Sequence, residues 1–381
     1  MKIAVNTRLL LPNRLEGIGW FTYETIKRIV QNHPEHQFYF LFDRPYSHEF
    51  IFGENITPVV LPPQSRHPIL WYLWFEFSVT RFLRKNHIDI FLSPDGYLSL
   101  QTAVPSIAVI HDINFAHHPE GMPWLVERYF NRFFPLFAKK AAHVVTVSEY
   151  SKLDIATTYH LPPNKISVAY NGVNPVYKIL QHQEVNAERE MQTDGCPYFL
   201  FVGAFNPRKN VARLLKAFDL FRSKHNEQYK LVIVGEKMFK TGDIQKAYHE
   251  MTYKDEVVFT GRLNIDRLQK VMGSAFALVF IPYFEGFGIP LVEAMSCGIP
   301  IIASNKTAIP EITQDAALQV DPFSIEDIAA AMVKLATNPT LVNHLVAKGN
   351  QRVKAFSWNR TAEEVWNAII LVAQENKIPN A

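Results

Sequence analysis

Short apolar runs alternate along the chain with longer stretches in which apolar residues recur at helical spacing. This is the pattern of an α/β protein with parallel sheets. Strands are expected at about Lys2 to Asn6, Phe38 to Phe42, Val59 to Leu61, Ile88 to Leu92, Ile107 to Ile110, Val144 to Val147 and Ser167 to Ala169. A second series follows at Tyr198 to Val202, Lys230 to Val234, Val257 to Thr260, Ala277 to Ile281, Ile299 to Ala303 and Leu318 to Val320. Between them, from Val176 to Gly195, the sequence turns polar and aperiodic, and reads as a linker with room for a helical turn. The expectation is two doubly wound domains, residues 1–178 and 197–358.

Chemistry-bearing residues gather where these strands end. Gly17 and Gly19 come after the first, His111-Asp112 after the fifth, and Ser148-Glu149 after the sixth. In the second series the exits are Gly203 with Arg208-Lys209-Asn210, Gly235-Glu236, Gly261-Arg262, Glu285-Gly286 and Ser304-Asn305. Parallel sheets bind ligands at their carboxyl ends, and two such ends facing one another would form a cleft suited to a small molecule.

The densest stretch is Tyr283 to Pro300. A strand runs into Glu285-Gly286-Phe287-Gly288, and Pro290 then opens a helix that Gly298 and Pro300 end. Such a turn aims backbone N–H groups and a helix dipole at whatever lies above it, which favours a phosphate. Two carboxylates flank it, Glu285 in the loop and Glu293 about two helical turns on. Either they serve a ligand lying along the helix, or Glu285 complements the dipole and Glu293 is solvated. Arg208 and Lys209 precede a helix whose apolar face is Val211, Leu214, Leu215 and Phe218. Cations oppose the dipole at a helix start, so their presence points to an anion that compensates. Gly17 and Gly19 fit a loop needing positive φ or a flexible lip over a ligand. His111 is either a satisfied structural histidine or a hydrogen-bonding group at a ligand, with Asp112 orienting it or holding the loop. His117 and His118 are adjacent, and neighbouring histidines do not ligate one ion with good geometry, so no metal site is expected.

Composition narrows the class. The chain has 381 residues, 48% hydrophobic and 20% charged, and its net charge is only +3. These values fit a two-domain globular protein and argue against a nucleic-acid binder. Cys196 and Cys297 stand alone, the amino terminus lacks a signal-peptide apolar core, and no apolar run reaches the length of a membrane span, so a reduced cytoplasmic protein is expected. The 28 Phe, 15 Tyr and 6 Trp exceed what a core of this size needs. Many fall on helical stretches Leu70 to Lys85 and Trp124 to Lys140, interleaved with Arg and Lys. These are either helices packing their rings on a sheet or a basic, aromatic face for the inner surface of a membrane or a lipid-linked acceptor.

The stretch EGFGIPLVEAMSCGIPIIAS with Ala308-Ile309-Pro310-Glu311 resembles the signature of the family-4 retaining glycosyltransferases. PRKN at Pro207 to Asn210, the His111-Asp112 pair, VSEYSK at Val147 to Lys152 and YNGV at Tyr170 to Val173 resemble the same family in order. The resemblance implies a GT-B fold, two Rossmann-like domains facing across a cleft, with a last helix at about 359–381 crossing back to the first domain. It implies a nucleotide diphosphate sugar as donor, GDP- or UDP-linked, and no metal or other cofactor. Arg208 and Lys209 would meet the diphosphate, aided by backbone N–H groups of Gly286, Phe287 and Gly288. Glu293 would hold the ribose, Glu285 the sugar hydroxyls, and His111 would sit at the reacting end. Ala204 stands where many members carry an Arg, which would leave phosphate neutralisation more heavily on Arg208 and Lys209. The flanking text is most similar to mannosyltransferases, so transfer of mannose from GDP-mannose to a glycan or lipid-linked acceptor is expected. A UDP-sugar transferase and a non-catalytic nucleotide-sugar-binding protein are the alternatives.

Overall fold

The computed structural model describes residues 1–119, 122–236 and 242–378. Gly121, expected in the loop after His118, and residues 379–381 of the expected last helix lie outside them. Each expected strand is present within about three residues. In the first unit these are β1 Lys2–Asn6, β2 Gln37–Phe42, β3 Ile56–Val60, β4 Ile90–Ser93, β5 Ser106–Val109, β6 His143–Thr146 and β7 Ile166–Val168. The second has β8 Tyr198–Val202, β9 Lys230–Val234, β10 Val257–Gly261, β11 Ala277–Phe280, β12 Ile301–Ser304 and β13 Leu318–Val320. β4, β5, β6, β8, β11 and β12 are buried at every residue, as strands covered by helices on both faces must be.

All described pairings are parallel, in the orders β3-β2-β1-β4-β5-β6-β7 and β10-β9-β8-β11-β12-β13. Strand order reverses between β1 and β4 in one sheet and between β8 and β11 in the other, which opens a crevice at each carboxyl edge. Ile3 pairs with both Phe38 and Ile90, so Asn6 emerges at the first crevice. Ala277 pairs with Phe199, so the Tyr283 to Gly288 turn emerges at the second.

The units divide at Gly172/Val173 and again at Phe356/Ser357. The stretch read as a linker is instead part of the second unit and contains a 12-residue helix, His182–Thr193. Its N-terminus is closed by the Glu184 carboxylate accepting from the Gln181 N–H at 3.0 Å. Hydrophobic periodicity missed it because its anchors are polar: Glu188 pairs with Arg267 at 2.6 Å and Arg189 Nε donates to the Ser274 carbonyl at 2.8 Å.

The last helix, Trp358–Glu375, packs on the first unit through Trp358, Ala362, Val365, Ile369 and Val372, one apolar stripe. Its entry is tight. A Cβ on Gly172 would lie 2.2 Å from the Trp358 backbone nitrogen, and Thr361 Oγ1 donates to the Tyr170 carbonyl at 2.6 Å. Gly172→Ala is therefore expected to cost about 1–3 kcal/mol through overpacking, read as a lower urea midpoint. Gly242→Ala, where an added Cβ meets nothing within 4 Å, should leave the midpoint unchanged or raise it.

Candidate functional site

In the second unit, the exits of β8, β9 and β10 are laced by backbone. Gly203 N–H donates to Val234, Gly235 N–H donates to Gly261, and a Cβ on Gly235 would lie 2.0 Å from the Gly203 oxygen. Beyond Gly203, Pro207–Lys209 forms a single 3-10 turn that Asn206 starts by accepting from the Arg208 N–H at 3.1 Å. Asn210 is buried in the left-handed region at φ 64°, and its Nδ2 donates to the carbonyls of Ile281 at 3.1 Å and Pro322 at 2.6 Å. Tyr283 N–H in turn donates to the Arg208 carbonyl at 3.0 Å. The loops after β8, β11 and β13 are thereby stitched together.

This stitching places Arg208 and Lys209 on one carboxylate. Glu285 Oε2 accepts from Arg208 Nη1 at 2.7 Å and Lys209 Nζ at 2.5 Å. Arg208 also reaches the Phe284 carbonyl at 3.0 Å, and Lys209 Nζ lies 4.9 Å from the Phe280 ring centroid. Burial pushes the Glu285 carboxyl up, but the charges and hydrogen bonds of Arg208 and Lys209 outweigh it and hold the group below its ordinary value. The expectation kept the cations for a ligand and Glu285 for a sugar. The structure joins the three into a cluster with one positive charge in excess.

Gly288, at φ 94°, begins helix Ile289–Ser296 and has no side chain with which to cap it. The Phe287 ring is buried edge-on to Phe356, 5.6 Å between centroids, so any ligand contact there falls to the backbone at Gly286 to Gly288. Glu293, half-buried on this helix, accepts from the Tyr177 hydroxyl, whose chain is fixed by Ser296 Oγ donating to the Tyr177 carbonyl at 2.8 Å. Burial pushes the Glu293 carboxyl up to about 7, and the tyrosine bond offsets this only in part. Tyr177 was not picked out from the sequence; its one signal was its place just after the YNGV stretch.

In the first unit, His111 follows β5. Its Nε2 lies 2.9 Å from the Pro94 carbonyl and its ring stands edge-on to Phe21 at 4.9 Å. A carbonyl only accepts, so Nε2 carries the proton and Nδ1 presents a lone pair. Burial lowers the pKa of His111, with the Pro94 bond and the charges of Asp112 and Asp95 opposing it, so the ring is neutral at physiological pH. Asp112 holds the loop by accepting from Asn114 N–H at 3.1 Å and Nδ2 at 2.6 Å. His117 Nε2 engages Asp154 at 2.8 Å.

The residues that hold Pro94 escaped sequence reasoning. Asp95 accepts from Asn6 Nδ2 at 2.7 Å and Arg8 Nε at 2.6 Å, both from the β1 exit, and the Arg8 guanidinium lies 4.3 Å from the Tyr97 centroid. In the sequence Asn6-Thr7-Arg8 shows only as a polar end to the first strand. Its pairing with Ser93-Pro94-Asp95 is long-range and needed the β1–β4 register. For Gly17 and Gly19 the positive-φ reading does not hold. Helix Gly17–Asn32 starts at Gly17, and neither residue has positive φ. Gly19 sits in a tight place, since a Cβ there would lie 3.1 Å from the Leu9 oxygen.

Comparison with known proteins agrees with this architecture. Residues 15–177 match the model described as Glycosyltransferase Family 4, and residues 183–352 match Glycosyl transferases group 1. The chain is 27% identical over 293 residues to O-antigen chain mannosyltransferase B of Escherichia coli, covering 76% of each protein. It is 27% identical over 317 residues to O-antigen chain mannosyltransferase RfbU of Salmonella typhimurium, covering 82% of each. Among solved structures, the sucrose-phosphate synthase of Thermosynechococcus elongatus superposes with a TM-score of 0.77 at 18% identity, covering 98% of this chain and 99% of that one. The chain is a glycosyltransferase of family 4 with the GT-B fold, and within that family it is similar to mannosyltransferases.

Proposed function

We propose that the protein transfers a hexose, mannose from GDP-mannose, to a hydroxyl of a glycan or lipid-linked acceptor, with retention of configuration and without a metal. The observation that carries this reading is the Glu285–Arg208–Lys209 cluster beside the Gly286 to Gly288 turn. Cleaving an anomeric C–O bond creates an oxocarbenium-like centre and a diphosphate leaving group. Negative charge grows on that diphosphate, next to two cations and a helix N-terminus whose positions are already fixed. Glu285 holds both cations and accepts sugar hydroxyls, and Glu293 accepts from the ribose. In the first unit, His111 Nδ1 offers an acceptor to a substrate hydroxyl. The acceptor attacks from the face the leaving group departs, and its proton passes to the leaving phosphate oxygen. Proton NMR of the product formed from GDP-mannose tests this: an α-mannoside supports it, and a β-mannoside or the absence of transfer with every GDP- and UDP-hexose would overturn it.

Glu285→Gln is expected to lower kcat by about 100-fold or more, the scale of losing one preorganised electrostatic contact. GDP affinity should not weaken, because both cations remain and lose their counter-charge. Native turnover in this variant would remove Glu285 from the mechanism.

Glu293 supplies a pH signature. Only the carboxylate accepts two ribose hydroxyls well, so GDP affinity should rise from pH 6 towards pH 8 through a group near 7, with proton uptake by buffer on binding. Glu293→Gln should flatten that profile. Unliganded stability has the opposite slope. The folded-state value lies above the ordinary 4.5, so the contribution is complete below 4.5 and is lost as pH rises through about 7.

Asp95→Asn leaves Arg8 buried without its counter-charge and should cost about 3–5 kcal/mol. If Asp95 positions His111 through Pro94, kcat falls while the Kd for GDP stays constant. A change in Kd alone would contradict that role.

A further inference from the structure

Thr307 stands out by its backbone. Among the described residues, eight other than glycine have positive φ. Asn13, Asp194 and Asn210 carry short polar side chains that tolerate it. His87, His160, Gln314 and Lys377 lie at or just past the end of a helix, where one left-handed residue is usual. Thr307, at φ 54°, is the eighth, and neither reason covers it: it is β-branched and follows a strand, β12. A branched Cβ in the left-handed region is strained and persists only where the surroundings impose it, and such strain gathers at functional sites.

What surrounds Thr307 is the backbone of Glu285. Thr307 Oγ1 accepts from the Glu285 N–H at 3.1 Å and donates to the Lys306 carbonyl at 2.9 Å. The Glu285 carbonyl in turn accepts from the Ala308 N–H at 3.4 Å. The loop after β12 therefore clasps Glu285 through both its N–H and its carbonyl. The ends of this loop are pinned: Asn305 N–H donates to the Val320 carbonyl of β13 at 2.9 Å, and Ala308 and Ile309 are buried. Lys306 and Thr307 alone must turn the chain between these anchors. The same loop backs the glycine turn, since a Cβ on Gly288 would lie 3.2 Å from Ile309 Cδ1.

The clasp matters because Glu285 is the carboxylate that meets both cations. Arg208 and Lys209 are placed by the bonds of Asn210 and Tyr283, and Glu285 is placed by the loop after β12, so both sides of the cluster are fixed. Glycine would adopt the turn without strain, but it has no hydroxyl to offer Glu285. We propose that Thr307 is a positioning residue of this site, its hydroxyl holding the Glu285 backbone where the carboxylate meets Arg208 and Lys209. Its effect on turnover rests on the transfer reading given above; its effect on the Glu285 loop does not.

Three substitutions separate hydroxyl from strain. Thr307→Ser keeps the hydroxyl and removes the branch, so kcat should stay within about threefold of wild type and the urea midpoint should rise. Thr307→Val keeps the branch without the hydroxyl and should lower the midpoint, and kcat by at least about tenfold. Thr307→Gly removes both. Its midpoint should lie above that of Thr307→Val while kcat falls at least about tenfold and GDP affinity stays within about threefold. A residue that served stability alone would move kcat and midpoint together. In Glu285→Gln, adding Thr307→Gly should cost less than about twofold further in kcat, because the one acts through the other. Amide exchange needs no sugar: the Glu285 N–H should exchange at least about tenfold faster in Thr307→Gly and Thr307→Val, and at the wild-type rate in Thr307→Ser. A chain that transfers nothing from any GDP- or UDP-hexose fails the transfer reading, and exchange at Glu285 then decides the role of Thr307 by itself. Wild-type turnover or wild-type Glu285 exchange in Thr307→Gly would overturn the inference, as would a loss in Thr307→Ser equal to that in Thr307→Gly.

Discussion

The interaction on which the second unit's chemistry depends is the grip of one carboxylate on two cations. Glu285 meets both Arg208 and Lys209 only because the turn bearing the cations is tied to the loops after β11 and β13 through Asn210 and Tyr283. Bringing these charges into a partly buried place without each other would be costly. Together they form a site of small net positive charge whose geometry exists before any anion arrives. Preorganisation of this kind is what makes electrostatic stabilisation of a leaving group effective, because nothing has to reorient as charge develops.

The first unit repeats the device with a different result. Its crevice between β1 and β4 is closed by Asp95, which neutralises Arg8, gathers Asn6 and fixes the Ser93 to Tyr97 loop. Among the described residues, its cation Arg8 is buried against Asp95. What the crevice fixes is the carbonyl of Pro94, and through it the tautomer of His111. Two sheets of like topology thus use their switch points differently, one to keep positive charge and one to hold a neutral imidazole with its acceptor nitrogen defined.

The strands were readable because the central strands of each sheet, covered on both faces, are short and nearly continuously apolar. The Gly286 to Gly288 turn was readable for a comparable reason: glycines and Pro290 at the start of a helix leave few alternatives. Contacts between distant loops were not readable. Arg208 and Lys209 were singled out as cations awaiting an anion, but nothing local shows that Glu285, some 76 residues later, meets them. Arg8 and Asp95 are separated by 87 residues and were missed. The helix His182–Thr193 was taken for a linker because polar pairs, not an apolar stripe, hold it. Gly17 and Gly19 were read as a positive-φ loop or a lip over a ligand; neither has positive φ, and Gly19 lies in a tight space beside Leu9.

The proposed transfer requires that the second unit bind a nucleoside diphosphate through Arg208 and Lys209 at the Gly286 to Gly288 turn. Isothermal titration with GDP, UDP and ADP tests it most directly. One site is expected, preferring GDP and weakened at least about tenfold by Arg208→Gln, the loss of one charge-assisted contact. A protein that binds none of the three, or binds GDP equally well without Arg208, would contradict it.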